Sequence, residues 1–161
     1  MHLTALGSSF ASGPGITPYA SASASASRST QNYPHLLARK LSANLTDLTT
    51  AGSTLLNLLS EPQTLPSGEV CPLQISLVPR DTDIVTLTCG GNDLGYIGSL
   101  THASLMASYG QTTEELPAAL LSTEQLTARL GAVLDAIHAR APAARVLLVE
   151  YLPVLGLETR P

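Results

Sequence analysis

Cysteine is scarce in this chain, with two residues among 161, and that scarcity excludes the disulfide framework that staples many small secreted domains. Cys89 ends an apolar run and is expected to be a buried free thiol, packed as a small hydrophobe. Cys71 lies in a proline-rich connector, and a bond between the two stays open because two residues cannot fix a pairing. Charge is sparse as well. Only 12% of residues are charged, the formal net charge is -4, and the eight Lys and Arg are scattered, so there is no phosphate-binding footprint and nucleic acid is excluded as a partner. No apolar run approaches the roughly 20 residues that span a bilayer, and Met1 leads within two residues into a strand instead of the apolar region of an export signal. The chain as written is expected to be soluble and without an export address. Secretion of a parent protein stays open, and the glycosylation acceptor pattern Asn44-Leu45-Thr46 matters only in that case. No Cys/His group has zinc spacing, so neither metal nor cofactor is expected.

What remains suits one globular domain: 44% hydrophobic residues, no internal repeat and no charge block that would mark a boundary. Strand-like apolar runs near 3–7, 45–49, 83–89 and 145–151 alternate with helical periodicity, the pattern of a parallel sheet with helices on its faces. A helix is predicted to begin at Tyr33-Pro34, with Pro34 in its first turn and Leu36, Leu37 and Leu41 inward. A second follows Gly52 on Leu55, Leu56 and Leu59. The clearest runs from about Thr123 to Ala141, capped by Ser122 or Thr123, closed by Pro142, with Leu126, Leu130, Val133, Leu134 and Ile137 as its stripe. The Ala/Ser alternation from Ala20 to Ser27 offers no large apolar side chain and reads as a mobile surface loop. Residues 61–82, with four prolines, read as one long connector.

Two strands end in small-residue turns that carry polar side chains. Gly7-Ser8-Ser9-Phe10-Ala11-Ser12-Gly13 follows Leu3-Thr4-Ala5-Leu6, and Gly90-Gly91-Asn92-Asp93 follows Ile84-Val85-Thr86-Leu87-Thr88-Cys89. In an open α/β sheet the carboxyl ends of neighbouring strands open on one crevice, where a serine nucleophile and an amide donor could converge. Each turn also has a plainer reading, Ser9 as an ordinary turn or helix cap and Asn92 with Asp93 as an Asx turn. Gly52, in Thr49-Thr50-Ala51-Gly52-Ser53, closes a third strand and opens a helix, where an exposed N–H could serve as a further oxyanion donor.

Together the three turns resemble the conserved blocks of the SGNH or GDSL hydrolases. Leu6 to Gly13 is similar to the first block, Ala51-Gly52 to the second, and Gly90-Gly91-Asn92-Asp93 closely to the third. Tyr33-Pro34-His35-Leu36-Leu37-Ala38 and Val149-Glu150-Tyr151-Leu152-Pro153 also look like family features. The resemblance implies a flavodoxin-like three-layer α/β/α sandwich and ester hydrolysis through a serine acyl-enzyme. It implies Ser9 as nucleophile, with the Ser9 N–H, the Gly52 N–H and the Asn92 side chain as the oxyanion hole, and a short acyl ester or acetylated carbohydrate as substrate.

The chain departs from the family pattern twice. Ser8 stands where an aspartate usually precedes the nucleophile. The last block, an Asp-x-x-His that supplies the base, is not found, so the domain reads as truncated after its fourth strand and impaired. A non-catalytic glycan- or acyl-binding domain and an inactive fragment are the alternatives. Asp135-Ala136-Ile137-His138 has the right spacing but sits inside the amphipathic helix, where Asp135 points away from the apolar stripe. His35 is expected on the surface, His2 lies at the amino end of its strand, and His102 falls in a mobile segment after Asn92. Oligomeric state is not legible.

Overall fold

Leu3, Ala5 and Leu6 are fully buried in one strand, and Val85, Thr86 and Leu87 are buried in another, so both strands are covered on both faces, as central strands of a parallel sheet must be. In this computed structural model, which describes residues 1–20, 26–110 and 121–152, they are β1 (His2–Gly7) and β5 (Ile84–Thr88). β2 (Asn44–Asp47) and β6 (Arg145–Leu148) flank them. The sheet runs β2-β1-β5-β6 and every pairing is parallel, with Leu3 opposite Leu45 and Ile84, and Val85 opposite Val146. The chain steps from β1 outward to β2, then crosses to β5 on the far side of β1. Right-handed crossovers in opposite directions put helices on opposite faces and open a crevice where the order reverses, at the carboxyl ends of β1 and β5.

The main core lies on the face covered by α3 (Leu55–Leu59) and α5 (Thr123–Arg140). Leu6, Val85 and Leu87 of the sheet meet Leu55, Leu58, Val133 and Ile137 there, with Ile75 and Val78 from the connector. α5 begins as its sequence predicts: Ser122 caps it and forms a reciprocal capping box with Gln125. Of its predicted stripe, Val133 and Ile137 are buried, while Leu126, Leu130 and Leu134 pack at the margin.

Other expectations need correction. α2 (Tyr33–Leu41) starts where predicted, yet it buries Pro34 and Ala38 and leaves Leu36 51% and Leu41 39% exposed. The helix packs on β2 through its small residues, a choice that leucine spacing alone does not reveal. α3 buries Leu55 and Leu58, whereas Leu56 and Leu59 are only half-buried. The connector is structured. It contains a hairpin of β3 (Gln63–Thr64) and β4 (Val70–Cys71), then a 3-10 turn at Ile75–Leu77. The stretch around His102 is helical, forming α4 (Tyr96–Ser108). Within the Ala/Ser tract, residues 21–25 lie outside the described residues, but Ala26 is buried and its carbonyl accepts from the Ala51 N–H.

Candidate active site

The β1 turn is shaped by Gly7. Its φ of 139° is one that side-chain-bearing residues rarely adopt, and a Cβ there would overlap the Thr88 carbonyl. That carbonyl instead accepts from the Ser8 N–H at 2.9 Å, which joins the turn to the tip of β5. Ser9 then opens α1 (Ser9–Ser12), a single turn closed by Gly13 at φ 75°. Ser9 is half-buried.

The β2 turn is fastened to the same place. Thr50 N–H donates to the Gly7 carbonyl at 3.0 Å. Gly52, exposed and at φ 82°, occupies the bend that precedes α3. It does not open that helix as predicted, because Thr54 is the cap and forms a capping box with Asn57. Two connector glutamines complete the attachment. Gln74 is 4% exposed; its Oε1 accepts from the Gly7 N–H at 2.9 Å, while its Nε2 donates to the Gly7 carbonyl and to Ser53 Oγ. Gln63 Nε2 donates to the Ala51 carbonyl, and its Oε1 accepts from Ser53 Oγ at 2.6 Å.

Asn92, on the β5 turn, donates one Nδ2 hydrogen to the Ser53 carbonyl at 2.7 Å. This bond fixes the plane of the amide and leaves its second N–H for another acceptor. Asp93 is not spent on a local Asx turn. Its Oδ2 accepts from the Leu55 N–H at 2.9 Å, at the positive end of α3, and its Oδ1 lies 3.3 Å from Arg129 of α5. Cys89 is a free thiol whose Sγ approaches the Ser53 carbonyl at 3.8 Å. Removal from water, reinforced by the charge of Asp93, pushes its pKa up to about 12.

The three turns that carry Ser9, Gly52 and Asn92 are thus tied together at the carboxyl ends of β1, β2 and β5. The histidines do not join them. His2 lies at the opposite end of β1 and bonds Thr46 Oγ1, while His102 and His138 are exposed on α4 and α5, with Asp135 exposed as expected. His35 is not a plain surface residue: its Nδ1 lies 2.8 Å from Asn32 Oδ1 and 3.5 Å from Asp47. Among the described residues no histidine hydrogen-bonds Ser9, and no group of three or more His, Cys, Asp or Glu is placed to hold a metal. Nor is any described helix long and apolar enough to cross a membrane. A cavity of about 200 Å³ opens beside the β2 turn, between Arg28, Thr50, Gln74 and the β3–β4 hairpin, without touching Ser9, Gly52 or Asn92.

Sequence reasoning missed Gln63 and Gln74, whose polar side chains in a proline-rich stretch carry no periodic signal. It also assigned no contact to Tyr151. The Tyr151 hydroxyl lies 3.0 Å from Ser8 Oγ and accepts from the Gly91 N–H at 3.1 Å. Burial raises the phenol pKa against the lowering effect of those bonds.

Residues 5–161 match the model of the GDSL-like lipase/acylhydrolase family. A lipase of Streptomyces rimosus is 33% identical over 147 residues, which cover 91% of this chain and 51% of that protein. Lipase 1 of Streptomyces coelicolor is 29% identical over the same shares. The solved structure of the extracellular Streptomyces rimosus lipase is similar with a TM-score of 0.67 at 30% identity, over 91% of this chain and 58% of that one. Phospholipase A1 from Streptomyces albidoflavus NA297 shares the fold, with a TM-score of 0.68 at 24% identity over 99% and 63% of the two chains. The chain spans about half the length of the curated relatives it matches.

Proposed function

From the premise that this chain belongs to the GDSL-like lipase/acylhydrolase family, we propose that it carries the nucleophile and oxyanion half of a serine esterase acting on a short acyl ester or an acetylated carbohydrate. Ser9 Oγ attacks the acyl carbonyl as a base takes its proton. The N–H groups of Ser9 and Gly52 and the free N–H of Asn92 hold the oxygen that becomes negative. The proton passes to the departing alcohol, and water then releases the acid and restores Ser9. Among the described residues none of the four histidines hydrogen-bonds Ser9, so this reading takes its base from a histidine other than these. Without a base, an oxyanion hole alone retains on the order of a thousandfold acceleration over water.

The observation that carries this reading is the 2.7 Å bond from Asn92 to the Ser53 carbonyl. It holds an amide donor against the Gly52 turn before any substrate arrives, so little reorganisation is needed when charge develops. The test is covalent labelling by a fluorophosphonate, on the chain together with whatever polypeptide follows Pro161 in frame. Ser9→Ala is expected to abolish labelling, and labelling at an unchanged level removes Ser9 as the nucleophile. Asn92→Ala is expected to lower ester turnover about a hundredfold or more, the effect of one oxyanion donor; a loss of only a few-fold removes that role.

A second reading, a non-catalytic domain that binds an acyl group or glycan, is favoured by the lack of a histidine on Ser9. Hydrolysis of p-nitrophenyl acetate faster than by Ser9→Ala decides against it.

A further inference from the structure

We infer that Tyr151 is a positioning residue of this site: its hydroxyl, held between Ser8 Oγ and the Gly91 N–H, locks the Ser9 turn to the Asn92 turn and keeps Ser8 from capping α1. The inference rests on the Ser9 reading above.

The hydroxyl lies 3.0 Å from Ser8 Oγ and accepts from Gly91 N–H at 3.1 Å. The phenol oxygen accepts from the amide and shares a hydrogen bond with Ser8 Oγ in which either hydroxyl can donate, so one atom joins both turns. Ser8 is 1% exposed and stands at the cap position of α1, yet its side chain makes no cap bond. A serine at that position normally accepts from the N–H two or three residues on; here the Ala11 N–H already donates to the Ser8 carbonyl at 3.0 Å, which leaves the Phe10 N–H. Tyr151 diverts the Ser8 hydroxyl. Release of the phenol would return the serine to that competing bond, pulling on the turn that holds Ser9.

Gly91 supplies an independent sign. Its backbone does not require glycine through a positive φ, but a Cβ there would lie 2.7 Å from Tyr151 Cζ and 2.8 Å from its hydroxyl oxygen. The missing side chain therefore makes room for the ring. Phe10, next to Ser9 and the only phenylalanine, meets Tyr151 edge to face with centroids 4.7 Å apart, and Tyr96 does so at 5.9 Å. The chain has five tyrosines and one phenylalanine, and half of them gather at this point.

The experiment compares Tyr151→Phe, Ser8→Ala and the double variant with the parent protein and with Ser9→Ala. The readouts are fluorophosphonate labelling rate, p-nitrophenyl acetate kinetics and amide hydrogen exchange at Gly91. Tyr151→Phe keeps the ring and is expected to slow labelling and kcat about tenfold with KM little changed, and to lower the thermal midpoint as well, because buried Ser8 Oγ and the Gly91 N–H lose their partner. Ser8→Ala removes only one of the two bonds and deletes the competing cap oxygen, so it should slow labelling less than Tyr151→Phe, and the double variant should be no slower than Tyr151→Phe alone, because the Ser8 contact is shared. Exchange at Gly91 should speed up in Tyr151→Phe. A merely structural tyrosine would lower the midpoint and leave kcat per folded molecule intact. Parent-like labelling in Tyr151→Phe, or losses that multiply in the double variant, overturns the inference while Ser9 stands. If instead Ser9→Ala labels like the parent, the Ser9 reading fails and takes the catalytic assignment with it. Unchanged Gly91 exchange then overturns the lock as a contact too.

Discussion

Both cysteines are free thiols of intermediate exposure, and they differ in their neighbours. Cys89 sits behind the Ser53 carbonyl, and loss of water raises its pKa to about 12, well above the ordinary thiol value of about 8.5. The fold therefore favours the protonated thiol. Its contribution to stability is complete below about pH 8.5 and is lost as pH climbs toward 12. Tyr33 and Tyr151, both raised first by burial, act in the same direction at higher pH. Because the thiolate is the reactive form, iodoacetamide near pH 8 is expected to modify Cys71 at least about a hundredfold faster than Cys89. Mass spectrometry of the folded protein checks this, and equal rates would show that Cys89 is not desolvated. At the same scale, the turns that carry Ser9, Gly52 and Asn92 were legible as turns because small residues gather there, while their assignment to one site came from the resemblance and stays a proposal. Tyr151 and Gln74 were not legible, because their partners lie 143 and 67 positions away, and no local pattern reports a contact of that range.

At the scale of elements, α3 shows how a helix too short to form alone is held. Its five residues are far fewer than the roughly 12–15 an isolated helix needs. It relies on the Thr54–Asn57 capping box, on burial of Leu55 and Leu58, and on Asp93 reaching its first N–H from the β5 turn. Asp93 also pairs with Arg129, so α3, α5 and the Asn92 turn share one carboxylate whose side chain is fully buried. Asp93→Ala leaves a buried N–H unpaired and a guanidinium without its partner, and is expected to destabilise by about 3–5 kcal/mol, read from urea unfolding. A change within about 0.5 kcal/mol would mean that the carboxylate does not hold the helix. The sequence revealed α5 fully, since its cap and its apolar stripe agree. It misjudged α2, because a 3.6-residue period identifies a helix without saying which side its neighbours take. It missed α4, which begins at Gly95 with no side-chain cap and buries no residue.

For the molecule as a whole, the class of fold followed from alternating strands and helices, whereas the strand order did not, because nothing local says that the chain crosses β1 to reach β5. That order decides which strands face outward. Both central strands are covered, but β6 is an edge strand among the described residues, with Leu147 41% and Leu148 53% exposed. Successive strand residues point to opposite faces, so β6 is bare on both sides as well as along its free edge. The other edge, β2, exposes the polar Asn44, while Asp47 is turned inward onto Asn32 and Thr49. For the 161 residues expressed by themselves, concentration-dependent self-association is therefore expected to run through β6. Leu148→Lys puts a charge on that strand without altering its hydrogen bonds to β5, and should lower the apparent mass seen by light scattering at high protein concentration while circular dichroism stays the same. Should the charged variant associate as strongly as the parent, the contact lies elsewhere, and the 39–51% exposed leucines of α2 become the next surface to charge.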